Sequence, residues 1–383
     1  MERRIFSSES VGRGHPDKVC DQISDAILDE CLRQDENSRC AIECLITKGL
    51  LVISGEVTSK ARLNYESIAR GILREVGYSD NNLDINPETC DVVVKIKEQS
   101  IDIFNGVSNR KDKVLGAGDQ GIMFGYASNE TDEYMPLSIV LAHELLKVAE
   151  EKRVSGEFKW AKSDMKSQVS IDIKTSKIDT ILLSIQHSDN YEDKEFRRYI
   201  KEEIIYPVIE KRGLNRDFKI LINPSSRFVI GGPVGDCGLT GRKIVVDTYG
   251  GVGHHGGGAF SGKDYTKVDR SAAYMARYVC KNIVASGLAD KCELQLAYAI
   301  GVPTPVSIFV DTFGTGKLPD YKIIDIIRRV FDLSVDGIIK TLELKKPIYK
   351  QTSYFGHFGR NDIDLSWERL DKVNKIKRLS LID

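Results

Sequence analysis

The 383-residue chain has little net charge, −1 at pH 7, and no CxxC pair among its eight cysteines. It also has no apolar run near the roughly 20 residues that a membrane-spanning helix needs. The balanced charge excludes a global basic field for nucleic acid or an anionic membrane, so anion binding must come from a local cluster. The cysteine spacings argue against a zinc site or a disulfide framework. Cys40 and Cys44 fall with Ile42 on one strand face, where reduced, buried thiols belong. The N-terminal stretch lacks the apolar run of a signal peptide, and a cytoplasmic location is predicted. Hydrophobic residues at 41% and charged residues at 29% describe a folded globular chain rather than a disordered one.

What is present is a repeated pattern. Val19, Ile23, Ala26 and Ile27 recur at helical spacing over residues 16–33. Strands follow at Cys40–Ile46 and Leu51–Val57, joined by a turn at Lys48-Gly49. Then come a helix from Tyr65 to Val76 and a strand through Val92, Val94 and Ile96. The same order returns as a helix at 135–151, strands at 168–174 and 178–187, a helix at 193–211 and a strand at 218–222. It returns again as a helix at 268–286, strands at 292–300 and 305–312 and a helix at 321–332, preceded by a predicted strand at 243–249. The fold class expected is therefore α+β, with three similar α/β units in pseudo-threefold arrangement and mixed sheets carrying helices on one face. The uncovered face must be buried against another unit or a second subunit. The units are expected at 1–102, 114–231 and 232–370, with an active-site loop at 98–113.

Three segments carry chemistry. Gly14-His15-Pro16-Asp17-Lys18 opens the first helix, and a helix N-terminus offers free N–H groups to phosphate. His15 then suits a developing oxyanion and Asp17 a Mg²⁺ ion. Asp21, Asp25 and Asp29 repeat at four-residue intervals and read as a solvated stripe. Gly257-Gly258-Ala259-Phe260-Ser261-Gly262-Lys263-Asp264 nearly matches a P-loop, but Asp264 stands where Ser or Thr is required. A glycine-rich anion cradle of another kind remains open, with Lys263, Lys267 and Arg270 beside it and Asp269 as either an ion-pair partner or a metal ligand. The third segment runs from Arg227-Phe228 through Gly235-Asp236 to Arg242-Lys243. It sets two adjacent cations after a glycine-rich turn, with Phe228 able to stack on adenine.

These segments, together with Gly118-Asp119-Gln120-Gly121-Ile122-Met123-Phe124-Gly125-Tyr126 and Tyr354-Phe355-Gly356-His357-Phe358-Gly359-Arg360, resemble those of bacterial-type methionine adenosyltransferases. The likeness runs in order over nearly the whole chain. It implies transfer of the adenosyl group of ATP to the sulfur of L-methionine, followed by cleavage of the released tripolyphosphate to pyrophosphate and phosphate. It also implies two Mg²⁺ and one K⁺ per active site, and homodimers or dimers of dimers with active sites built from both chains. Neither nucleic acid nor membrane is an expected partner. By resemblance, Asp17 and Asp269 bind Mg²⁺ and Glu43 lies at the K⁺ site, although Glu43 also reads as a solvent-facing strand residue. His15, Asp164, Lys166, Arg227, Phe228, Asp236, Arg242, Lys243, Ala259 and Lys263 would meet ATP. Glu56, Gln99, Asp236 and Lys267 would meet methionine. His15, Lys18, Asp236, Arg242, Lys243, Lys263 and Lys267 are the residues expected to act in catalysis. The chain departs from the family at Ile101, commonly proline, and at Ser226, usually glycine. A phosphoryl-transfer enzyme using the glycine run is a rival reading, and a nucleotide-binding regulatory protein without turnover is another.

Overall fold

The computed structural model of the chain describes residues 3–78, 85–98 and 115–381. Eleven strands among these residues form three sheets. Sheet one joins β1 (Ile5–Val11), β6 (Ala161–Asp172), β7 (Lys177–His187) and β8 (Lys219–Ile222). Sheet two joins β11 (Ser307–Asp311), β10 (Lys291–Tyr298) and β5 (Gly121–Ser128), all antiparallel. Sheet three joins β4 (Asp91–Lys97), β3 (Leu50–Thr58), β2 (Arg39–Thr47) and β9 (Gly238–Leu239). Sheets one and three each mix antiparallel pairs with one parallel pair, β7 with β8 and β3 with β4.

The repeat is tied together by a cyclic exchange that the sequence pattern does not announce. β1, which precedes the first repeat, pairs with the first strand of the second repeat, β6. β5 precedes the second repeat and pairs with the first strand of the third, β10. β9 precedes the third repeat and pairs with the first strand of the first, β2. Each sheet thus owns a hairpin and borrows an edge strand.

Helices cover one face of each sheet. On sheet three lie α1 (Pro16–Gln34) and α2 (Tyr65–Val76). On sheet one lies α3 (Leu137–Val154), followed by α4 (Asp193–Tyr199), a π-helical turn at Ile200–Ile205 and α5 (Tyr206–Lys211). The helix expected at 193–211 runs through these contiguous parts, with the π-helical turn just before Pro207, which cannot donate a backbone N–H and crowds the preceding turn. Two short helices follow, α6 (Gly232–Gly235) and α7 (Ile244–Asp247). The strand expected at 243–249 is this second helix: Val246 and Asp247 are drawn inward, and the chain then turns at Gly250 and Gly251, both at positive φ. On sheet two lie α8 (Val268–Ala285), almost wholly buried, and α9 (Asp320–Val330), with α10 (Val335–Thr341) and α11 (Val373–Ser380) completing the fold.

One apolar core runs continuously through the first and third units, from Val19 and Ile23 to Val279, Leu294 and Trp367. The central unit has its own core around Leu141, Ile181, Ile200 and Ile209. Cys20, Cys31, Cys40, Cys44, Cys90, Cys280 and Cys292 are buried free thiols. The outer sheet faces remain apolar in part. Val93, Val52, Leu45 and Leu239 make a row across sheet three, and Phe124, Gln295 and Phe309 a row across sheet two. Val93, Leu239 and Phe309 are exposed.

The four-residue stripe on α1 corrects the expectation of a solvated face. Asp17, Asp21, Asp25 and Asp29 are all buried. Each acts as a hook for a loop arriving from elsewhere. Asp17 accepts from Leu239 N at 2.9 Å, Asp21 from Gly241 N at 2.8 Å, and Asp25 from Gly262 N at 2.9 Å. Asp29 accepts from Tyr349 N and Lys350 N, both at 2.9 Å. Those N–H groups lie in loops, in the two-residue strand β9 or in a short 3-10 turn, and must find acceptors once buried.

Candidate functional site

The first cluster forms at the N-terminus of α1. Pro16 presets the first turn, and His15 is the N-cap: its Nδ1 accepts from Asp17 N at 3.2 Å. Because Nδ1 accepts, the remaining proton of the neutral ring sits on Nε2. Burial first, and then Lys243, hold the His15 pKa down to about 3, so the ring is neutral at physiological pH. Burial pushes the Asp17 carboxyl up, but the hydrogen bonds from Lys243 and Leu239 outweigh it and keep the carboxylate below its usual range. Lys243 Nζ lies 2.5 Å from Asp17 Oδ2, and Arg242 approaches Asp17 at 3.9 Å. β9 delivers this pair of cations.

Asp164 closes the cluster from β6. Its Oδ2 accepts from Gly232 N at 2.8 Å, while its Oδ1 is buried without a hydrogen-bond partner. Burial raises its pKa to about 6, helped by nearby Asp236, which is itself exposed. Lys166, two residues on, is exposed, and its charge reaches His15. Phe228 is half-buried and tied to His187, its N donating to His187 Nε2 at 3.1 Å. Arg227 is exposed and pairs with Asp189 at 2.6 Å.

A second cluster forms around the glycine run and the start of α8. Lys263 Nζ lies 2.5 Å from Asp269 Oδ2, and Lys267 Nζ lies 2.5 Å from Asp264 Oδ2. No helix begins at Asp264, because Asp264 is used to accept from Cys40 N and Thr266 N. Gly258 faces the Asp269 carboxylate so closely that any Cβ there would overlap it, and Gly121 lies on another side. Across sheet three, Glu56 pairs with Ala41, and Ala41 in turn bridges to Lys263. Glu56, Lys263 and Asp269 therefore belong to one neighbourhood. Glu43 is exposed on the outer face of β2, opposite Ser54.

The structure thus gathers His15, Asp17, Asp164, Arg242 and Lys243 in one place and Glu56, Lys263 and Asp269 in another. Among the described residues, no hydrogen bond or ion pair joins the two clusters directly. They are linked through α1 and through Ala259, which packs beside Gly241. Gln99, Ile101 and nearly all of the 98–113 loop lie outside the described residues.

Lys18, also expected to act in catalysis, stands in the first turn of α1. Its ammonium is wholly buried, donating to Asp21 at 2.9 Å and to Asp247. Burial opposes its charge, but the two carboxylates outweigh this and raise its pKa. Asp21, Asp25 and Asp247 are the groups that sequence reasoning missed. The available signal was the density of glycine-rich backbone nearby, whose N–H groups need buried acceptors.

Hard oxygen ligands suit Mg²⁺, which keeps several waters and takes one or two carboxylates together with substrate phosphates. Asp17 and Asp269, one carboxylate in each cluster and each bordered by cations, fit that habit. Among the described residues, no three His, Cys, Asp or Glu side chains converge as a ready-made metal cage.

Comparison with known proteins decides the family. The models for S-adenosylmethionine synthetase match in succession: the N-terminal domain at residues 3–101, the central domain at 114–228 and the C-terminal domain at 230–369. The chain belongs to the S-adenosylmethionine synthetase family. It is 58% identical over 380 residues to the S-adenosylmethionine synthase of Mycoplasma capricolum, covering 98% of this chain and 97% of that one. It is 56% identical over 379 residues to that of Mesoplasma florum, covering 98% and 100%. It is 52% identical over 388 residues to that of Clostridium botulinum, covering 98% and 99%. Among the described residues, no helix of this family member is long and apolar enough to cross a membrane.

Proposed function

We propose that the chain makes S-adenosylmethionine from ATP and L-methionine by attack of the methionine sulfur on C5′ of ATP, with the triphosphate as leaving group and its hydrolysis to pyrophosphate and phosphate as a second step. Close relatives over nearly the full length support the reaction. The observation that carries the residue assignment is the α1 N-terminal cluster. There a neutral His15, holding its proton on Nε2, stands beside Lys243, Arg242 and the buried Asp17.

The thioether is a good nucleophile without a base, so the barrier lies in expelling the phosphate chain. His15 Nε2–H donates to the oxygen that leaves C5′, and Lys243 and Arg242 hold the charge that grows behind it. Asp164 Oδ1, buried and unpartnered, accepts an N–H or O–H of the nucleoside. Phe228 lies beside its ring, with Lys166, Arg227, Asp236 and Ala259 around it. Glu56, together with Gln99 and Lys267, holds the amino-acid end, so that sulfur and C5′ stay in line. Asp17 and Asp269 would hold two Mg²⁺ ions, whose chemistry is to spread charge on the phosphates, and Glu43 would face K⁺. The working units are 1–102, 114–231 and 232–370.

We further infer that one active site uses the His15–Lys243 cluster of one chain and the Lys263–Asp269 cluster of another. The separation of the two clusters supports this. So do the apolar rows on the outer faces of sheets two and three, which a second copy would cover in a dimer or dimer of dimers.

The test is purified protein with ATP, methionine, Mg²⁺ and K⁺, followed by mass spectrometry. S-Adenosylmethionine with equimolar pyrophosphate and phosphate is expected, and ADP formation without it would instead indicate phosphoryl transfer. Glu43→Ala should abolish stimulation by K⁺; stimulation that persists removes Glu43 from that role.

A further inference from the structure

The Lys263–Asp269 cluster is held from beneath by a buried ion pair outside the residues assigned above. Asp25 Oδ1 and Oδ2 receive both ends of the Arg270 guanidinium, at 2.6 and 2.9 Å. Both side chains are almost completely shielded from water. Asp25 Oδ1 also accepts from Gly262 N at 2.9 Å. Gly262 immediately precedes Lys263, and Arg270 immediately follows Asp269. One carboxylate therefore grips the chain on either side of the Lys263–Asp269 pair.

Arg270 extends the grip. Its Nη1 donates to Phe260 O at 3.0 Å and to Lys263 O at 3.3 Å. From the other side, Ile42 N donates to Gly262 O at 3.0 Å and Asp264 N to Cys40 O at 3.1 Å. Gly262 sits at positive φ, and a side chain there would strike the Ile42 carbonyl. The turn carrying Lys263 is thus pinned to β2 on one side and to Asp25 and Arg270 on the other. A buried ion pair is weak evidence for stability, since apolar residues of similar volume often serve as well. A bidentate fork does, however, fix distance and orientation.

We propose that Asp25 and Arg270 are positioning residues: they set the separation and aim of Lys263 and Asp269 for the triphosphate, and neither touches substrate. This rests on the reading of Lys263 and Asp269 as the phosphate- and metal-facing half of the site.

The test uses the full-length protein and two variants. Arg270→Lys keeps the charge and loses the fork. The pair Asp25→Asn with Arg270→Gln removes both charges and keeps polar, hydrogen-bonding side chains. Folding is read by circular dichroism and melting. Affinity for Mg²⁺ with tripolyphosphate is read by calorimetry, and kcat and the methionine KM by steady-state assay. Lys263→Ala runs in parallel.

We expect folded variants in which tripolyphosphate binds at least tenfold more weakly and kcat falls at least tenfold, while the methionine KM stays within about threefold. A merely structural pair would lower the fraction of active protein and leave tripolyphosphate affinity per active site unchanged, and that result overturns the proposal. So does failure of both variants to fold, which assigns the pair to the fold alone. If Lys263→Ala itself binds tripolyphosphate normally, the reading of this half-site fails. Loss in Lys263→Ala with wild-type binding in both pair variants rejects only the positioning role.

Discussion

Replacing Lys18 by Met separates a structural lysine from a catalytic one. In the folded chain its ammonium is completely shielded and serves two carboxylates, Asp21 and Asp247. Methionine fills much the same space but leaves both acids without their cation. Removing one partner of a buried pair costs about 3–5 kcal/mol. The lower end applies near neutrality, because burial already raises the Asp247 pKa to about 7 and a proton can replace the missing charge. With an unfolding entropy of about 0.8 kcal/mol/K for 383 residues, the melting temperature should fall by roughly 4 °C. The pH dependence has a definite sign. Lys18 draws the Asp247 pKa down against burial, so without it the carboxyl titrates above the parent's value of about 7, which is itself above the unfolded value of about 3.9. Folding then binds protons, and this destabilisation is absent below pH 4 and complete above the folded pKa. The deficit relative to the parent chain should therefore widen between pH 6 and pH 8, and Lys18→Met with Asp247→Asn should recover at least half of it. Calorimetric melting at the two pH values measures this. A Lys18→Met protein that melts like the parent but loses turnover a hundredfold would falsify the structural assignment and return Lys18 to the substrate.

Ser226 occupies left-handed backbone at φ 72, a region that favours glycine. A non-glycine residue there costs about 1–3 kcal/mol, offset in part by the unfolded-state entropy of glycine. Ser226→Gly should thus raise the melting temperature by about 1 °C, and a lower value refutes the strain. Gly258→Ala forces the Asp269 carboxylate aside. A displacement of that kind costs about a hundredfold in kcat, and near-normal kcat in a Mg²⁺ titration would show that Asp269 is not the group that matters. Asp164, with a pKa of about 6, would be proton-free when it accepts from the nucleoside. Affinity for a non-hydrolysable ATP analogue should therefore fall as pH drops below 6 in the parent but not in Asp164→Asn. Parallel curves for the two proteins remove Asp164 from the nucleotide.

The α+β class and the three hairpins were legible because alternation in β2, β3, β7 and β10 is strong and helices such as α2 and α9 keep a 3.6-residue apolar period. β1 and β9 were not. The first is Ser-rich and the second is two residues long, so neither has a pattern apart from its partner strand. The buried Asp stripe was misread for a related reason. Periodicity reports that a face differs from the apolar one, not what covers it. Here polar loop backbone covers it, and carboxylates are the matching acceptors. The pairing of Lys18 was not legible, because a lysine at a helix N-terminus looks alike whether it meets phosphate or two buried acids.

The strand exchange explains why the assigned residues lie where they do. After β1 ends, Gly12 N and Gly14 N continue the pairing to Met165 O and Ser163 O, at 2.8 and 3.1 Å, and this sets His15 and Asp17 beside Asp164. After β9 ends, Thr240 N reaches Cys44 O at 3.1 Å, and Arg242 and Lys243 follow over Asp17. Just before β5, Gly118 N meets Thr266 O at 3.3 Å, next to Lys267. Every borrowed strand therefore leads into or out of a loop that carries charged groups onto a neighbouring unit. Antiparallel register fixes such a loop to within one residue, since a slip of one would turn every side chain to the opposite face. The ladders that hold the units together are thus the same ones that set the spacing within the first cluster. In this fold, the exchanged edges and not the helix-covered sheet interiors determine where the assigned residues meet.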